Sequence, residues 1–164
     1  MQNKIKGKII FLGIFIILIS KDLLAETSFS LYSEGLSFYK EKKYQEAEAK
    51  FKESIKVNQW YALPYYALGR LYIRQTGKVK DAIINLQKAI ECDNNLANAN
   101  FYLGLAQLIS EKYIEAIHSF KRAYELDKKY AEALFNIAVI YEHLGNDYMA
   151  FFYYREYLKE TEKK

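Results

Sequence analysis

His143, Glu132 and Glu142 are the residues whose types could hold a metal ion or move a proton, and Cys92 is the single thiol. A pair of carboxylates and an imidazole could supply three ligands to a metal. Glu132 and Glu142 stand ten residues apart, however, and the close ligand spacing of a metalloenzyme helix is missing. They read as solvated helix-face charges, and His118, the other histidine, falls on a different segment. One cysteine allows neither an intrachain disulfide nor a cysteine-cluster zinc site. Cys92 itself falls late in a helical segment, at a position expected to be core packing. With no phosphate-binding glycine loop and no nucleophile motif, the sequence predicts no enzyme, no metal and no cofactor. The chemistry that remains is recognition. It is concentrated in aromatic side chains, 16 Tyr and 10 Phe.

The elements that position those rings are helical. The chain has 164 residues, 51% of them hydrophobic and 27% charged, which suits one packed domain with a soluble surface. Seven glycines and one proline, Pro64, argue against a turn-rich β fold. The glycines and alanines fall in register. Gly35, Gly69, Gly104 and Ala138 are separated by 34, 35 and 34 residues. Ala47, Ala82, Ala116 and Ala150 are separated by 35, 34 and 34. Small residues recur in this way where helix axes approach within about 8–10 Å and larger side chains do not fit.

Within residues 97–130, Leu103 and Gly104 are followed by Ala116, Phe120, Ala123, Leu126 and Asp127. This pattern resembles the helix–turn–helix signature of the tetratricopeptide repeat family, whose period is about 34 residues. Four repeats are expected, at about 28–61, 62–96, 97–130 and 131–164. The resemblance implies an all-α fold, a right-handed α-solenoid of antiparallel helix pairs, each pair comprising a helix A and a helix B. In the first repeat helix A is expected from Ser28 to about Lys40 and helix B from Tyr44 to Val57. Ala47 is expected to face Gly35, and Phe51 to fill the space between repeats. The second repeat carries one extra residue near Gln75–Lys78, where Gly77 can take an unusual backbone angle. The fourth departs by placing Tyr157 where a small residue is expected. Gln59, Asn94 and Lys128 stand where the family has a proline, so the repeat ends are expected to be less rigid.

The family binds partners on a concave wall of A helices. By resemblance that groove contains Tyr32, Tyr39, Tyr66, Arg70, Ile73, Arg74, Phe101, Leu105, Leu108 and Phe135. Tyr32, Tyr66, Phe101 and Phe135 form one aromatic row. The row is either a ladder of anchors for an amphipathic helix or extended peptide or a set of rings that pack on one another. The groove could also be filled by the N-terminal segment or by another copy of the chain. The family's clamp for acidic C-terminal peptides needs Lys and Asn. Tyr32, Leu36, Tyr66, Asn98 and Tyr102 hold those places, so that activity is not predicted. A second surface, Phe151, Phe152 and Tyr153 on the last helix, is expected either to associate, with a homo-oligomer as one outcome, or to cover the end of the core.

Lys4, Lys6 and Lys8 precede an apolar run, Ile9 to Ile19, which matches a secretory signal peptide; if uncleaved, residues 1–25 would tether the chain to a membrane. Eleven apolar residues fall short of the ~20 that a spanning helix needs. The repeats would then be periplasmic, whether free or anchored. Residues 1–25 carry a net +3, which leaves +1 on the rest and no basis for nucleic-acid binding. The expected role is a protein–protein adaptor of the cell envelope with a protein or peptide partner. The alternative is a carrier of small apolar ligands, or an accessory subunit of an envelope transport or assembly complex.

Overall fold

The computed structural model describes residues 22–162. The apolar run Ile9–Ile19, with most of the expected signal peptide or anchor, lies outside the described residues. Among the described residues every regular element is helical, and no helix is long and apolar enough to cross a membrane. Helix α1 covers residues 22–40. It is followed by α2 Tyr44–Val57, α3 Ala62–Ile73, α4 Val79–Cys92, α5 Ala97–Ile109 and α6 Tyr113–Leu126. A short 3-10 turn at Lys128–Tyr130 leads to α7 Glu132–His143 and α8 Asp147–Thr161. Helix α1 is already formed at residue 22, ahead of the expected start at Ser28, and the Thr27 hydroxyl donates to the Leu23 carbonyl at 2.7 Å.

The chain divides into two compact units after Tyr61. In the first, α1 and α2 are held by a buried serine pair. Ser28 Oγ donates to the Ser54 carbonyl at 3.0 Å, and Ser54 Oγ donates to the Ser28 carbonyl at 2.7 Å. Both residues are fully buried, so each hydroxyl satisfies a group that would otherwise be costly to bury. A Cβ on Gly35 would lie 2.6 Å from Phe51 Cε1. Phe51 therefore occupies the space that the missing side chain leaves beside Gly35.

The second unit repeats this arrangement three times. Short turns join α3 to α4, α5 to α6 and α7 to α8, and α4 also packs on α5 and α6 on α7. The B helices bury one stripe, as in Ala82, Ile83, Leu86 and Ala89 of α4. The A helices α5 and α7 lie between two B helices and are buried on a wider arc. Gly69 meets Leu86, and a Cβ on Gly104 would lie 2.7 Å from Phe120 Cδ1. In the fourth repeat the pair is Ala138 and Tyr154. There Tyr154 is only half-buried and its hydroxyl donates to Glu142 at 2.7 Å.

Turn chemistry is equally regular. Lys42, Glu111 and Gly145 each adopt a left-handed φ, 61°, 58° and 71°, one residue before a backbone bond that closes the helix end. Those bonds run from Lys43 N–H to the Phe38 carbonyl, Lys112 to Gln107 and Asn146 to Tyr141, each 2.9 Å. Gly77 takes φ 81° in the longer second turn, as its place in the sequence predicts. At the repeat ends the missing proline has a substitute. Asn58, Asp93 and Asp127 accept from the N–H two residues on, at 3.0, 3.0 and 2.9 Å. These Asx turns fix the chain direction with a side chain instead of a ring, so the looser ends expected from the sequence are not what the turn geometry provides.

Phe120 is fully buried and cannot swing aside, so Gly104→Ala should be destabilising. Overpacking of this kind costs about 1–3 kcal/mol, against about 1 kcal/mol that alanine gains over glycine in a helix interior. Chemical denaturation should show a net loss. A single variant as stable as wild type would mean that the crossing is not tight.

Candidate partner-binding face

In the first unit Tyr32 is half-buried, its ring 5.6 Å edge-on from Tyr61 and 5.9 Å from Phe51. Tyr39 is half-buried against Tyr44 at 5.6 Å. Both rings have intramolecular neighbours, and both keep part of their surface open.

In the second unit the A-helix face is built from α3, α5 and α7. Tyr66 and Phe101 are buried, so two members of the expected aromatic row form its floor. Phe101 belongs to the core cluster with Phe120 and Ile137, and its ring lies 5.6 Å from Phe120 and 5.2 Å from Tyr130. Phe135 is different. It is 44% exposed and gripped from below by Tyr154 at 5.6 Å and Tyr157 at 5.5 Å. Tyr157, the departure from the repeat pattern, is thus what supports Phe135. Ile73, Leu105 and Leu108 are half-buried and Arg74 is exposed.

Arg70 is the best-oriented charge on this face. It stands one helical turn beyond Tyr66, and its guanidinium lies 5.8 Å from the Tyr66 ring and 5.4 Å from the Tyr102 ring. Its Nη1 also donates to the Tyr66 hydroxyl at 3.5 Å. The Tyr66 and Tyr102 rings meet edge-to-face at 5.7 Å. Burial pushes the Tyr66 phenol up to about 12, with Arg70 acting in the opposite direction. Burial also raises Tyr130, which senses Tyr102 and Arg70. Tyr102 and Tyr130 complete this cluster; from the sequence Tyr102 was read only as standing at a place of the family's peptide clamp, and Tyr130 was not singled out. The signal available was the i, i+4 spacing of Tyr66 and Arg70; the approach of Tyr102 depends on how α5 stacks on α3.

The residues considered for chemistry are occupied otherwise. His143 lies 4.9 Å from the Tyr113 ring, and Glu142 accepts from Tyr154. Cys92 is half-buried at the last residue of α4, not in the core, because the helix ends there and its thiol lies at the rim; burial raises its pKa. On the last helix Phe151 is exposed and Phe152 lies at the edge of exposure. Tyr153 is half-buried, stacked on Tyr141 at 5.6 Å and 11° beneath the Lys121 ammonium.

Tyr66 carries a pH signature. A phenol raised from the ordinary 10 to about 12 keeps its proton longer in the folded than in the unfolded chain. Its stabilising contribution is complete below pH 10 and is lost as pH rises toward 12. The melting temperature should therefore fall over that window, and Tyr66→Phe should fall less steeply. Parallel curves for the two proteins would contradict the burial of this hydroxyl.

The tetratricopeptide repeat family model matches residues 32–97 and 101–163. The peroxisomal targeting signal receptor of Candida albicans (strain SC5314 / ATCC MYA-2876) is 32% identical over 103 residues, 60% of this chain. The chain spans only 17% of that receptor's length. Among solved structures, the crystal structure of MamA aligns with a TM-score of 0.79 at 23% identity, covering 88% of this chain and 85% of that one. YrrB, a TPR protein with an unusual peptide-binding site, aligns with a TM-score of 0.71 at 23% identity, covering 82% and 69%. At these identities the structural likeness is one of fold. The family match covers most of the sequence and the helix pairs follow its period: the chain belongs to the tetratricopeptide repeat family, and its fold is that family's all-α right-handed solenoid of antiparallel helix pairs.

Proposed function

We propose that this chain is a protein-interaction module that holds a peptide segment of a partner protein against the A-helix face of residues 62–162. In this reading Arg70 meets an acidic group of the peptide, while Phe135, Ile73, Leu105 and Leu108 meet its apolar side chains. The observation that carries it is the Arg70 stack. A guanidinium held against two touching rings beside an apolar wall is oriented before the ligand arrives, and preorganisation lowers the entropy cost of binding. A half-exposed Phe held by two tyrosines supplies the kind of rigid aromatic anchor that dominates such surfaces. The peptide-binding site of YrrB, similar in fold, supports the reading.

Residues 1–25 support a location in a bacterial-type envelope, with the repeats exported across the inner membrane and either free or tethered in the periplasm. A fusion of this segment to alkaline phosphatase should be active, since that enzyme matures only after export. An inactive fusion retained in the cytoplasm would contradict the location.

The binding role is tested by selecting peptides from a displayed library on the purified protein and measuring affinities by fluorescence anisotropy. Selected peptides should pair an acidic residue with bulky apolar ones. Arg70→Ala and Phe135→Ala should each weaken binding by about tenfold or more, the loss expected of a central anchor. Selection of no peptide, or equal binding by both variants, would overturn the assignment.

A further inference from the structure

Helices α1 and α8 differ in what stands at the positions that neighbouring helices cover elsewhere in the repeats. On α5 and α7 the face turned to the preceding B helix carries Ala99, Leu103 and Ala106, then Ala133, Ile137 and Ile140, all buried. The equivalent positions of α1 are Ser30, Glu34 and Ser37, all exposed, with Glu34 paired to Lys50 at 3.0 Å. These three positions of α1 are polar, although Leu23, seven residues before Ser30 on the same face, is 62% exposed.

Helix α8 is different. On the B helices, Ile83 and Ile117 stand one residue after the small alanine and are 9% and 6% exposed. Ile117 is covered by α7, where it shares a cluster with Ala133 and Ile137. The same register position on α8 is Phe151, which is 69% exposed. Tyr148 and Leu158 extend this uncovered stripe, at 79% and 54%. A large aromatic therefore occupies the position that a following helix covers in the two preceding repeats of this unit.

We infer that α8 of a second copy of this chain covers this stripe, in an antiparallel pairing about a two-fold axis near Tyr153. The stripe is complementary to itself in that orientation. Its N-terminal half is aromatic and follows Asp147, and its C-terminal half carries Arg155, Leu158 and Lys159. Antiparallel pairing sets Phe151 against the partner's Arg155 and Tyr148 against the partner's Leu158, matching rings to cation and to methyl groups. Arg155 already lies 5.8 Å from the neighbouring Phe152 ring. The pairing also reproduces the antiparallel B-to-A contact made inside the array, and the contact closes on itself as an isologous dimer. A head-to-tail contact would instead place Phe151 on Ser30 and Glu34, leaving apolar surface against polar groups. One helix pair makes a small interface, so the dimer should dissociate at concentrations on the order of micromolar.

Sedimentation of the full chain over a concentration series tests this. Wild type should approach twice 19.3 kDa with no larger species. Phe151→Lys should raise the dissociation constant on the order of a hundredfold, with its helical circular dichroism intact. Should that variant misfold, Arg155→Glu, a fully surface change, should weaken the dimer likewise. Ser30→Lys, at a polar position of α1, should leave it unchanged. A monomer at every concentration, a dimer that survives both α8 substitutions, open-ended growth, or dissociation by Ser30→Lys would each overturn the inference.

Discussion

The close crossing of the two helices in each repeat is the constraint on which the rest of the structure depends. Gly35, Gly69 and Gly104 leave no room for a Cβ because Phe51, Leu86 and Phe120 already fill that space. That fit fixes the angle and separation of each pair. Once they are fixed, the B-helix stripe can meet only the next A helix, and the A-helix face opposite remains to be dressed for binding. Dispersion and burial hold the pair, but the absent side chain sets its geometry.

The same constraint explains which aromatic rings are structural. Tyr66 and Phe101 sit close enough to the crossing that neighbouring helices bury them, whereas Phe135 keeps 44% of its surface exposed. Burial costs the Tyr66 hydroxyl its water, which the Arg70 contact only partly restores, and the raised phenol value is the electrostatic record of that cost. In return the guanidinium is held against two rings at the edge of the apolar wall. The proposed binding face thus draws on the packing core for its rigidity.

The small-residue series made the repeats readable from sequence, since glycine inside a helix has few physical reasons other than close approach. The turns were readable wherever glycine marked them, as at Gly77 and Gly145. They were hidden at Lys42 and Glu111, where ordinary residues take the same left-handed angle. The missing prolines suggested loose repeat ends, because an Asx turn and an uncapped loop look alike until the Asp127 carboxylate is seen on the Lys129 N–H. The aromatic row was visible as a periodicity, but its division into buried and exposed members was not. That division depends on Tyr102, Tyr130 and Tyr157, which reach the row from positions outside it.

The central claim is that α3, α5 and α7 present the partner-binding surface and that α4, α6 and α8 support it. Amide chemical-shift mapping of the labelled protein with a selected peptide tests that division most directly. The account predicts perturbations that cluster on α3, α5 and α7 around Arg70, Leu105 and Phe135. Perturbations confined to the outer faces of α4 and α6 would contradict it.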